Sequence, residues 1–196
     1  MRKKSHILLA RYLADQMNEA ESLQEHRKAF CVGSILPDLR PSFFTRKHEY
    51  SATIEDLQEK IRELAQCREK SCNGRVYWRK FGEVIHYIAD YFTFPHNQTY
   101  TGNFFQHNQY EKELKNTLKQ IIKSDHIQNY QNEAICFDDF SDLMNYIKNV
   151  HKIYLKKERS ILEDVHYILT VCYQVIQGIF ALFLESRNMR VSLSGM

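Results

Sequence analysis

The sequence predicts an all-α fold, a multi-helix bundle, and three observations carry that prediction. The 196 residues include only six Gly and three Pro, far below the usual roughly 7% and 5%, so turn chemistry is too scarce for a many-stranded sandwich or barrel. Hydrophobic residues make up 43% of the chain, with 12 Phe and 12 Tyr, enough to fill a sizeable core. Apolar residues also recur at helical spacing in several long stretches, each bounded by turn residues. A chain of this length is expected to be one domain, 1–196.

The first helix is expected from about Ser5 to Arg27, with Leu8, Leu9, Tyr12, Leu13 and Met17 on one face and Ser5 as its N-cap. Its basic start, MRKK, is followed by an apolar run that His6 and Arg11 interrupt, and no small-residue cleavage site follows, so it reads as a helix rather than a signal peptide. CVGSILPDLRPSFF holds two of the three prolines and reads as a buried, ordered loop or a helix end followed by loop. Thr53 opens the helix TIEDLQEKIRELAQC, which packs Ile54, Leu57, Ile61, Leu64 and Ala65 inward, and Asn73-Gly74 ends that element. A strongly apolar helix follows from about Val76 to Phe94, closed by Pro95. Further helices are expected from about Phe104 to Lys123, Phe137 to Leu155 and Ser160 to Arg187, six or seven in all. Val165 to Leu184 approaches the composition of a membrane span, but His166, Gln174 and Gln177 fall within it. A buried helix is therefore expected there, and no transmembrane segment.

Two compositional features bear on function. Lys plus Arg number 27 against 24 Asp plus Glu, a net charge of +3, too small to point to nucleic acid or an anionic membrane as partner. The five cysteines (Cys31, Cys67, Cys72, Cys136, Cys172) are odd in number and lack CxxC pairs. They read as reduced, mostly core thiols in a reducing, cytoplasmic compartment.

The chemistry is concentrated in the histidines. His86 and Asp90 are four residues apart in HYIADYFTFPH, so on a helix they share one face. His96 follows Pro95, where the helix must stop, so its imidazole can turn back toward the same site. HNQYE supplies a second pair, His107 and Glu111. Helical bundles bind metals in their interior with imidazoles and carboxylates arranged in this way. Such a ligand set, without thiolate, suits Zn, Mn, Fe or Co better than Mg or Ca. GSILPDL and His48 add another Asp and His in a constrained region.

The series His-x3-Asp-x5-His and then His-x3-Glu resembles the zinc-dependent phospholipase C family, whose helical fold is shared with the S1/P1-type nucleases. SHILLARYLADQM is similar to that family's first helix around a ligand His, here His6; GSILPDL resembles the segment carrying its Asp, here Asp38; and His48 falls where a further His ligand is expected. The resemblance covers residues 6 to 111. It implies a phospholipase C/P1 nuclease-type bundle with an interior metal cluster. A first zinc would be held by Asp38, His48, His86 and Asp90, and a second by His96, His107 and Glu111. Asp90 would bridge to a third position that also uses His6. In secreted members of the family, including the bacterial phospholipases C, an N-terminal Trp completes the third position. No Trp precedes His6 here, which leaves Met1 or water for that role.

The resemblance further implies a hydrolase in which a metal-activated water attacks a phosphodiester, with Asp38 as base. The expected substrate is a small phosphodiester or a phospholipid. The alternatives are an S1/P1-like nuclease or nucleotidase, which the small charge excess disfavours, and a metal-binding protein without hydrolase activity. Outside the series, His26, His126, His151 and His166 are expected in surface or core roles, and Trp78 as a core anchor. Phe43, Phe44, Phe104 and Phe105 flank the ligand segments; core packing is expected for them ahead of lining an apolar cleft.

Overall fold

The computed structural model describes residues 1–17, 21–40, 49–67, 74–124, 135–157 and 160–194, with side chains to residue 186. The described residues form eight α-helices and two short 3-10 turns, with no strand among them. The helices are α1 (Lys3–Gln16), α2 (Glu21–Glu25), α3 (Arg27–Gly33), α4 (Tyr50–Ala65), α5 (Gly74–Tyr91), α6 (Phe104–Lys123), α7 (Phe140–Tyr154) and α8 (Ile161–Ser194). The 3-10 turns are Pro37–Leu39 and Phe94–His96. Each carries a proline in its first turn, where the missing N–H costs nothing.

The expected first helix is instead three. α1 starts at Lys3, two residues before Ser5, whose side chain is fully buried inside the helix and caps nothing. It ends at Gln16 because its last carbonyls find a partner off the helix: Gln24 Nε2 donates to Ala14 O (2.8 Å) and Met17 O (3.3 Å). The chain then folds back through α2 into α3. α4 begins at Tyr50 rather than Thr53; Thr53 is buried within it, its hydroxyl reaching Glu49 O (2.9 Å) and Tyr91 Oη (2.9 Å). Gly74 opens α5 rather than closing α4. α6 spans the expected residues and starts with a capping box between Asn103 and Gln106. α7 starts at Phe140 because Asp139 caps it, accepting from Asp142 N. Ser160 Oγ accepts from Glu163 N (3.0 Å) ahead of α8, which runs past Arg187 to Ser194.

α5 and α8 form the centre. α5 buries twelve residues, Trp78, Phe81, Ile85 and Ile88 among them. Trp78 is 1% exposed and donates its indole N–H to Ser22 Oγ (3.0 Å), the anchoring role expected of it. α8 packs against α1, α4, α5, α6 and α7. Over Ile161–Ser186 it is long and apolar enough to cross a membrane by length and composition, yet Val165, Ile168, Leu169, Cys172, Val175, Ile176 and Ile179 are buried in the bundle.

α3 and α5 cross at a contact only glycine permits. A Cβ on Gly33 would lie 2.0 Å from Arg79 O, and one on Gly82 would lie 2.2 Å from Phe30 O. Both obstacles are backbone, so the side chains cannot yield. This approach brings the end of α3, and the Pro37–Leu39 turn after it, against the face of α5 that carries His86. Glu83 of α5 is nearly buried and ion-paired to Arg40 (2.7 Å) and Lys60 (3.3 Å), which ties that turn and α4 to the same helix.

The cysteines are not all reduced thiols. Cys67 is disulfide-bonded, while Cys31, Cys136 and Cys172 are free. Sequence spacing tests for zinc ribbons, whereas a disulfide depends on the distance between Cα atoms in space.

Candidate metal centre

Seven of the eight candidate ligands lie among the described residues, and they converge. α1 supplies His6, the Pro37–Leu39 turn Asp38, α5 His86 and Asp90, the Phe94–His96 turn His96, and α6 His107 and Glu111. His48, with Phe43 and Phe44, lies outside the described residues.

Asp90 is the hub. It is fully buried; its Oδ1 lies 3.3 Å from His6 Nε2, and its Oδ2 lies 3.4 Å from His86 Nε2 and 3.3 Å from His96 Nδ1. On one side His6, Asp38 and His86 form a group whose ligand atoms all lie within 4.8 Å of one another. On the other side His96, His107 and Glu111 form a second such group, with Glu111 Oε1 3.4 Å from His96 Nε2 and 3.3 Å from His107 Nε2. His6 therefore stands with Asp38 and His86, its ring stacked on that of His86 at 4.0 Å. The Met1 amino nitrogen reaches Asp90 Oδ1 at 2.6 Å, His96 Nε2 at 3.0 Å and Glu111 Oε1 at 3.4 Å.

The hydrogen bonds around the cluster favour a cation within it. His86 Nδ1 is 2.9 Å from Ser34 O. A carbonyl only accepts, so Nδ1 carries the proton and Nε2 presents a lone pair. Burial, reinforced by His6, holds the His86 pKa well below its usual value, so the ring stays neutral. Its Nε2 lone pair then faces Asp90 Oδ2, with Asp38 Oδ1 3.8 Å away. Lone pairs facing carboxylate oxygens repel unless positive charge lies between them. His6 gives the same indication: it is 1% exposed, and neither ring nitrogen makes a hydrogen bond, an arrangement that costs stability unless a further group binds there. The donor set and its unsatisfied atoms thus fit a divalent metal of the zinc type.

The carboxylates are held ready as anions. Burial pushes the Asp90 pKa up, but His96 and the Met1 ammonium, the nearest positive charges, outweigh it and hold the carboxyl well below the usual range. Glu111 is likewise held far below its usual value, burial being overcome by hydrogen bonds from His107 and His96. For His96, burial is overcome by Asp90 and the pKa is raised.

Several supporting residues escaped the sequence reading. Asp164 of α8 is 1% exposed; it accepts Phe94 N–H (2.8 Å), the Tyr154 hydroxyl (2.8 Å) and the Tyr110 hydroxyl. It thereby fastens the turn carrying His96 to α6 and α7. The available signal was an Asp in an otherwise apolar helix, since buried carboxylates are kept only where donors converge on them. His151 is buried, bonded to Asn97 Oδ1 (3.0 Å) and stacked on Tyr50 (4.2 Å), a core role as expected. Phe104 and Phe105 overturn their core assignment: they are 84% and 74% exposed. They stand at the N-terminus of α6, short of Leu114 and Leu118, the residues by which that helix enters the core.

Four of the candidate ligands, Asp38, His96, His107 and Glu111, line a cleft of about 620 Å³ together with Arg2, Lys3, Lys4, Phe104 and Lys115. A model of the zinc-dependent phospholipase C family matches residues 5–161, well beyond the motif-bearing stretch. No curated protein and no solved structure matched the chain. With a match over most of its length, on a helical framework that gathers imidazoles and carboxylates around Asp90, the chain belongs to the zinc-dependent phospholipase C family.

Proposed function

We propose that the protein is a zinc-dependent phospholipase C-like phosphodiesterase, that His6, Asp38, His48, His86, Asp90, His96, His107 and Glu111 hold its metal ions, and that Asp38 is the base. The observation that carries this reading is the pair of three-ligand groups joined through Asp90, four of whose members, Asp38, His96, His107 and Glu111, line a cleft. Bound zinc would supply positive charge for the phosphodiester oxygens and lower the pKa of water at the site.

The chain's own residues account for the rest. Ser34 O fixes the His86 tautomer, and the stacked His6 ring limits its rotation, so a donor nitrogen is presented without rearrangement. Asp38 lines the cleft while also lying within reach of His86, the position from which a carboxylate can take a proton from an attacking water. The cations at the rim, Arg2, Lys3, Lys4 and Lys115, attract a phosphate-bearing substrate.

Zinc-loaded protein should hydrolyse a phospholipid or an aryl phosphodiester. Asp38→Asn should lose that activity while keeping most of its zinc, because His6, His86 and Asp90 remain. Turnover at the wild-type rate in Asp38→Asn would remove Asp38 from the mechanism. A zinc-loaded protein inert toward lipid and aryl phosphodiesters, yet active on nucleic acid, would favour the nuclease alternative.

A further inference from the structure

The net charge of +3 gives no reason to expect a membrane partner, but it averages over the surface, and the structure distributes charge unevenly. Arg2, Lys3, Lys4 and Lys115 all line the mouth of one cleft. Among the described residues Lys3, Lys4 and Lys115 make no ion pair, and Lys3 and Lys4 are exposed. On α6, Phe104, Asn108, Glu111 and Lys115 recur at i, i+4, i+7 and i+11 and all face this cleft. The first of them, Phe104, is 84% exposed, and its neighbour Phe105 is 74% exposed. Two adjacent phenylalanines in water, beside unpaired lysines, are a costly surface for a protein with no use for it. Aromatic side chains flanked by cations are the side-chain chemistry of an interfacial membrane contact: the rings enter the headgroup boundary while the lysines meet anionic lipid.

We propose that this rim is a docking surface for an anionic phospholipid bilayer, with Phe104 and Phe105 inserting at the interface and Lys3, Lys4 and Lys115 contacting acidic headgroups. The inference rests on the phospholipase reading for its relevance to catalysis, since docking here sets the cleft mouth directly onto the lipid surface. Binding can nevertheless be measured without turnover.

The test is co-sedimentation of the full chain with phosphatidylcholine vesicles, with and without phosphatidylglycerol, at low and high salt. The wild type should bind the phosphatidylglycerol vesicles at least about tenfold more strongly, and salt should weaken the binding. Phe104→Ser combined with Phe105→Ser, and separately Lys115→Glu, should each cut the partition coefficient by about tenfold or more. These side chains lie outside the core, so unchanged thermal unfolding would show that the fold is intact. Phe105→Ser alone, which is outside the cleft lining, should keep its activity on a soluble aryl phosphodiester while losing activity on vesicles. Equal binding to both vesicle types, or wild-type binding by the double Phe variant, would overturn the proposal. A wild type that binds anionic vesicles but cleaves no phosphodiester would retain the docking surface and remove the catalytic reading beneath it.

Discussion

Replacing Gly82 with Ala adds a single methyl group at the α3–α5 crossing, 2.2 Å from the carbonyl oxygen of Phe30. The shortest ordinary van der Waals separation is 3.4 Å, so the two backbones must part by about 1.2 Å along that direction. Overpacking of this kind costs about 1–3 kcal/mol. Ser34 follows α3 directly, so the same shift stretches the 2.9 Å bond from His86 Nδ1 to Ser34 O beyond hydrogen-bonding range, a further loss of roughly 1 kcal/mol. Together these predict a destabilisation of about 2–4 kcal/mol, or roughly 5–15 °C in Tm for a chain of this size. The functional consequence is separable: an imidazole that loses the partner fixing its tautomer costs about 10- to 100-fold in metal affinity. Zinc competition against a chromophoric chelator would measure that, alongside thermal unfolding. Gly178→Ala is the control, because its added Cβ would meet the Phe137 side chain at 2.6 Å, away from the cluster; it should change stability without changing zinc affinity. Wild-type zinc affinity in Gly82→Ala would refute the claim that the helix crossing sets the geometry of His86.

Other expectations follow from the same geometry. Chelation of the zinc-loaded protein should lower its Tm, and His107→Ala should reduce the zinc bound per chain while leaving the fold intact, since His107 is one-third exposed; undiminished zinc in elemental analysis would exclude His107 as a ligand. Asp164→Asn leaves one acceptor oxygen for three donors, Phe94 N–H and the Tyr110 and Tyr154 hydroxyls, which should cost about 1–3 kcal/mol and weaken zinc binding through displacement of His96, both read from melting curves and metal titration. Held below its usual value in the metal-free protein, the Glu111 carboxyl contributes stability that is present above its unfolded value of about 4.5 and lost as pH falls below it. Glu111→Gln should therefore flatten the acid limb of Tm against pH in the presence of chelator, and identical limbs would contradict that assignment.

The candidate site was legible because its spacing is dictated locally. His86 with Asp90, and His107 with Glu111, each share a helix face whatever the rest of the bundle does, and Pro95 stops α5 before His96 in any packing. The expected limits of α6 hold for the same reason, since Asn103 and Gln106 cap it from within the sequence. The misreadings involve partners far along the chain. The break after α1 depends on Gln24 reaching back to Ala14, and the start of α4 on Thr53 finding Tyr91. The burial of Phe104 and Phe105 was misjudged because helical periodicity identifies a face but not where the core beneath that face begins. Asp164 and Ser34 carry no motif, because what they do depends on which donors the tertiary fold aims at them.

The family match stops at residue 161, where α8 begins. A fragment cut at that boundary would keep every candidate ligand and lose the beam against which they are braced. Without α8, Asp164 no longer clamps the turn that carries His96, and the buried faces of five other helices open to water. Such a fragment should behave as an expanded, dye-binding species rather than as a smaller version of the protein, and should gain little order from added zinc. The boundary of recognisable sequence and the boundary of mechanical integrity therefore fall in different places along this chain. A dissection guided by the first alone would divide the scaffold from the site it supports.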